Sequence, residues 1–130
     1  MQNPILIDCN EELSGRVLDA ATQVHRELGP GLLESVYELA LMLELKTMGI
    51  KAERQVEVPV FYRGEPLGVG FRADIIVEGC LLLELKSVER FENIHTAQAI
   101  TYLKLLGFKR GYLLNFKCNL MREGIRRVII

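Results

Sequence analysis

Apolar positions recur at helical spacing in the first third of the chain and at strand spacing in the middle. Leu13, Val17, Ala20, Ala21, Val24 and Leu28 step by three and four residues and so share one face of a helix. Asn10, followed by Glu11 and Glu12, gives that helix a capping side chain and two acids at the positive end of its dipole. Gly29-Pro30-Gly31 stops it and begins a second helix, whose stripe of Leu33, Val36, Tyr37, Ala40, Leu41 and Met48 runs to a C-terminal cap at Gly49. From Lys51 the period drops to two, with Ala52, Val56, Val58 and Val60 alternating against Glu53, Gln55 and Glu57.

Arg63-Gly64-Glu65-Pro66 turns this strand back, and Pro59 inside it favours an edge position or a bulge. Residues 71–86, FRADIIVEGCLLLELK, read as two strands joined at Glu78 and Gly79. A third helix is expected over about residues 93–106, capped by Asn93 and stopped by Gly107. Strands over residues 111–116 and 125–130 complete the chain. Strand 80–86, this helix and strand 111–116 form the pattern of a right-handed parallel crossover. The expected fold class is α/β, a mixed β-sheet flanked by helices in the order αα-βββ-α-ββ, in a single domain spanning residues 1–130.

The hairpin over residues 71–86 fixes its own register, because a one-residue slip turns every side chain to the opposite face. Pairing Ile75 with Leu83 and Val77 with Leu81 puts Phe71, Ala73, Ile75 and Val77 on one apolar face with Leu81, Leu83 and Leu85. The other face then holds Asp74 opposite Glu84 and Arg72 opposite Lys86. That register requires a three-residue loop, Glu78-Gly79-Cys80, in which Gly79 takes a left-handed conformation. A two-residue turn would separate the two carboxylates.

Composition narrows the class. With 130 residues, 49% hydrophobic and 25% charged, the chain has the balance of a soluble globular domain able to bury a core. Three cysteines, Cys9, Cys80 and Cys118, are odd in number and lack a CxxC pair, which argues against a disulfide framework or a zinc ribbon and for a reduced, cytoplasmic setting. Neither a signal peptide nor a membrane-spanning run is seen. The net charge of -1 hides an asymmetry: residues 1–85 carry 7 Lys and Arg against 14 Asp and Glu, and residues 86–130 carry 9 against 3. A basic second half suits a phosphate backbone, or is simply solvated surface.

Charges inside apolar strands are costly unless paired. Asp74 and Glu84 on one face offer hard oxygen ligands, which suit Mg²⁺ or Mn²⁺. Lys86, two residues beyond Glu84 on the same side, is placed to orient or deprotonate a water attacking a phosphodiester. The competing explanation is a cross-strand salt bridge among Asp74, Glu84, Arg72 and Lys86. On the third helix, His95, Gln98 and Tyr102 fall on one arc beside the Ala99, Leu103 and Leu106 stripe, where Gln98 and Tyr102 would position a phosphate or the lysine. His25 on the first helix is a possible neighbour of the site.

Asp74, Glu84-Leu85-Lys86 and Gln98-x-x-x-Tyr102 together resemble the PD-(D/E)XK nuclease superfamily in its QxxxY branch. Gly31-x-x-Glu34-x-x-Tyr37, Phe71-Arg72-Ala73-Asp74 and residues 111–116 (GYLLNF) are similar, more narrowly, to the GxxExxY proteins. The resemblance implies a restriction-endonuclease-like fold and a divalent metal held by Asp74, Glu84 and the backbone carbonyl of Leu85. By position Glu34 joins that site, although the helix dipole alone also accounts for an acid there. Tyr37 is expected in the core with its hydroxyl directed at Glu34. With only three scattered cysteines, no iron-sulfur cluster is expected. The implied activity is metal-dependent hydrolysis of DNA or RNA. The alternatives are a catalytically inactive module of the same fold that binds nucleic acid or protein, and a homodimer paired through the last strand.

Overall fold

The computed structural model describes residues 5–130. Its elements are α1 (Glu11–Leu28), α2 (Glu34–Thr47), β1 (Ala52–Tyr62), β2 (Glu65–Val77), β3 (Leu81–Lys86), α3 (Asn93–Leu106), β4 (Arg110–Asn115) and β5 (Ile125–Ile129), with a 3₁₀ turn at Met121–Gly124. The five strands lie in the order β1-β2-β3-β4-β5. Only β3 and β4 pair in parallel, through the crossover that contains α3, and every other neighbour is antiparallel. The expected α/β order is therefore present.

Two apolar clusters sandwich the sheet. On one face Val17, Ala21, Tyr37, Leu41 and Leu45 of α1 and α2 pack with Ile75, Val77, Leu81, Leu83 and Leu85. On the other, Ala99 and Leu103 of α3 pack with Val58, Ile76, Leu82 and Leu113. The central strand β3 is buried on both faces, which explains its nearly continuous leucines.

Local signals hold at most helix ends. The Asn10 side chain accepts a hydrogen bond from Leu13 N–H at 2.7 Å. Gly49, at φ 77°, follows the last residue of α2's cap. At α3 the cap is Glu92 rather than Asn93, and Glu92 N–H donates to His95 Nδ1 at 2.9 Å, so His95 serves the helix start. Tyr37 does not reach toward Glu34 as expected. Its buried hydroxyl donates to the Gly29 carbonyl at 2.5 Å and accepts from Leu32 N–H at 3.1 Å, bracing the loop that launches α2. Its ring stacks on Phe116 with centroids 4.4 Å apart. His25 is likewise engaged in packing, with Nε2 at 2.8 Å from the Cys118 carbonyl.

The β2–β3 register pairs Ile75 with Leu83 and Val77 with Leu81 around a three-residue loop, and Gly79 is left-handed at φ 64° as expected. Pro59 lies on the edge strand β1, next to a register shift between Pro59 and Phe61. Two features of the predicted hairpin differ. Phe71 and Ala73 pack in the α3-side cluster rather than with Ile75 and Val77. The strand changes side at Asp74, opposite an interruption of the β1–β2 ladder at Gln55, whose φ is +52°. The β2–β3 ladder also ends at Ile75 and Leu83, so Arg72 never faces Lys86 and instead pairs with Glu57 of β1 at 3.0 Å.

Candidate active site

Beyond the last β2–β3 pair, carboxylates take over from the backbone ladder. Asp74 N–H donates to Glu84 Oε1 at 3.2 Å, and Leu85 N–H donates to Asp74 Oδ2 at 2.8 Å. Each acid is thus held by the main chain of the opposing strand, and the two are forced close together. Glu84 is only 6% exposed. Burial first, and then the neighbouring Asp74 charge, push its carboxyl up to about 8. Burial raises Asp74 as well, partly offset by the Leu85 N–H. Two acids in one partly desolvated space cannot both ionise cheaply, so the pair holds a proton near neutral pH.

The remaining predicted residues distribute around this pair. Lys86 is half-buried at the end of β3 and takes part in none of the ion pairs formed among the described residues. The cross-strand salt bridge that competed with a chemical role is therefore absent among them. Glu34 is exposed in the first turn of α2; partial burial raises its carboxyl, and the Lys86 charge pulls it down. Tyr102 of α3 lies on the other face within range of the pair's charge: burial, then the charges of Glu84 and Asp74, raise its hydroxyl. Its ring stacks on Phe71 with centroids 4.0 Å apart. Gln98, one turn earlier on α3, is exposed, and its side chain makes no hydrogen bond among the described residues. The site therefore lies at the end of the sheet where α2 and α3 approach from opposite faces.

Two residues not anticipated from sequence frame it. Glu38, 5% exposed, accepts from Gln55 Nε2 at 2.6 Å and pairs with Arg54 at 3.1 Å, and its charge contributes to raising Asp74. Its signal was available, since Glu34 and Glu38 are four residues apart and face the same way on a helix. Asn115, 4% exposed, accepts from the N–H groups of Val88 and Lys117 and donates to the Val88 carbonyl at 2.8 Å. Together with the bond from Phe116 N–H to the Lys86 carbonyl, at 3.1 Å, it fixes the chain leaving β3. Nothing in the sequence marks that clamp beyond an asparagine at a strand end.

The donor set of Asp74 and Glu84 consists of hard oxygens that repel one another, a combination relieved by a divalent cation. Among the described residues no three acidic, histidine or cysteine side chains gather into a ready-made cage. The basic second half is partly neutralised by the fold: Arg110 is tied to Asp8 and Glu11, both at 2.7 Å, and Lys117 meets Glu89, while Arg126 keeps its charge and lies over the Phe91 ring. No helix among the described residues is long and apolar enough to cross a membrane.

No curated protein and no solved structure matches the chain. The family model of the PD-(D/E)XK nuclease superfamily matches residues 11–128, a span that takes in both carboxylates, Lys86 and all three helices. The chain belongs to the PD-(D/E)XK nuclease superfamily.

Proposed function

We propose that this protein hydrolyses phosphodiester bonds of nucleic acid with Mg²⁺ or Mn²⁺, and that it belongs to the GxxExxY group within the QxxxY branch. The observation that carries this reading is the pairing of Asp74 and Glu84 across the end of the β2–β3 ladder, beside a lysine that forms no ion pair among the described residues. Asp74, Glu84 and the Leu85 carbonyl hold the cation, and Glu34 extends the ligand set. When bound, such an ion supplies Lewis-acid polarisation of a phosphoryl oxygen and acidifies a bound water.

The chain's own residues do the rest. Lys86 orients the attacking water, its ammonium kept available because no carboxylate among the described residues pairs with it. Tyr102, held by its stack on Phe71 and close enough to feel the charges of Glu84 and Asp74, positions the phosphate or the lysine. Gln98, exposed one turn away, contacts a phosphate oxygen. Purified protein with Mn²⁺ should cleave DNA or RNA, and Asp74→Ala should not. Equal rates in the two proteins, or no cleavage of either nucleic acid, would refute the assignment.

A further inference from the structure

Among the described residues three other than glycine have positive φ: Arg63, Glu78 and Gln55. Arg63 and Glu78 lie in tight turns, each followed by a left-handed glycine, where such a conformation is expected. Gln55 is different, because it sits within β1. A side-chain-bearing residue held there needs surroundings that enforce it. The enforcing group is visible: Gln55 Nε2 donates to Glu38 Oε1 at 2.6 Å, and the other oxygen of Glu38 is fixed by Arg54 at 3.1 Å.

The consequence falls on one residue of the neighbouring strand. Pairing runs from Arg54 with Ile75 to Val56 with Ala73 and skips Gln55 opposite Asp74. On either side of that gap β2 changes clusters, Ile75 facing α1 and α2 and Ala73 facing α3. Asp74, released from the β1 ladder, directs its N–H to Glu84 and receives the Leu85 N–H.

We infer that Glu38 and Gln55 are positioning residues for Asp74: the buried Glu38 carboxylate locks Gln55 in the left-handed conformation, and the resulting break in the ladder turns Asp74 toward β3. Glu38 acts through Gln55 rather than as a ligand, since both of its oxygens are already engaged. This inference rests on the metal-site reading above for its functional meaning, but its geometry can be tested without metal.

The test combines Mn²⁺ titration calorimetry with methyl NOEs that report whether Ala73 remains in the α3-side cluster. Valine disfavours positive φ and glycine accepts it freely. Gln55→Val and Glu38→Ala should each weaken Mn²⁺ binding by about 10- to 100-fold, the usual effect of losing a residue that orients a ligand, and should displace Ala73. Gln55→Gly should bind as wild type does, and Glu38→Ala/Gln55→Gly should recover what Glu38→Ala alone loses. If Gln55→Val does not fold, the Glu38 single and double variants still decide the matter. Wild-type binding and Ala73 contacts in Gln55→Val, or no rescue by glycine, would overturn the inference. Should wild type itself bind no Mn²⁺, the metal reading fails, and the NOE pattern alone decides the positioning role.

Discussion

Replacing Glu84 by glutamine should stabilise the protein in chelator at alkaline pH. The Glu84 carboxyl is raised from its ordinary 4.5 to about 8, so the folded state binds a proton that the unfolded state releases. Below pH 4.5 both states are protonated and there is no penalty. As pH rises, the folded state must either retain the proton or ionise against Asp74, and stability falls until about pH 8. At about 1.4 kcal/mol per pH unit the interval amounts to roughly 5 kcal/mol, an upper bound that solvent relaxation reduces to about 2–4 kcal/mol. For a domain of this size, 1 kcal/mol corresponds to about 4 °C, so the expected difference in Tm is on the order of 10 °C.

Glu84→Gln keeps an oxygen to accept the Asp74 N–H and adds an amide N–H that Asp74 can accept. Melting curves of both proteins at pH 5, 7 and 9 in chelator should lie close together at pH 5, diverge already at pH 7 and change little beyond about pH 8, with the variant higher. Mn²⁺ at pH 8 should reverse the order by raising wild type and leaving Glu84→Gln unmoved. Parallel melting curves from pH 5 to 9 would refute the claim that Glu84 is held protonated by its burial and by the neighbouring Asp74 charge, because the slope comes from those two causes.

Three other perturbations probe the supports of the site. Tyr37→Phe keeps the stack on Phe116 but leaves the Gly29 carbonyl and Leu32 N–H without their partner; denaturant titration should show a loss of about 1–3 kcal/mol with Mn²⁺ binding retained. Asn115→Ala strips Val88 of both backbone partners and should cost about 2–3 kcal/mol while lowering cleavage, because the segment after Lys86 loosens. Lys86→Met should preserve Mn²⁺ affinity measured by calorimetry and lower the cleavage rate by about 10²- to 10⁴-fold, the range for losing a positioned proton-transfer group.

Much of the fold follows from spacing that the sequence displays openly. The helical stripes of α1 and α2, the glycine stops and the leucine run of β3 each report a local preference that tertiary packing reinforces. The register of β2 against β3 was also available, because only one pairing keeps Ile75, Val77, Leu81 and Leu83 on one face. What failed was the extension of that alternation past Asp74. Period-two reasoning assumes an unbroken strand, and it placed Phe71 and Ala73 on the wrong face because nothing in QVEV announces a left-handed residue at Gln55. Glu38 shares a helix face with Glu34, which the spacing shows, but its partners, Arg54 and Gln55, are 16 and 17 residues away and meet it only after β1 has docked beside α2.

The place where alternation fails is also where the chemistry collects, and the two facts have one cause. A regular ladder would commit the amides of Asp74 and Leu85 to neighbouring strands and leave the carboxylates of Asp74 and Glu84 to solvent or to a salt bridge. By ending the β2–β3 ladder at Ile75 and Leu83, the fold frees those amides to grip side chains instead. Arg72, which a continuous hairpin would have brought opposite Lys86, is carried away to Glu57. Among the described residues the pair of acids is then left without a neutralising arginine, and Lys86 without a carboxylate in an ion pair. Such a pair is destabilising unless a cation or a proton joins it, which is why the stability of this protein should depend on pH and on metal at the same two residues.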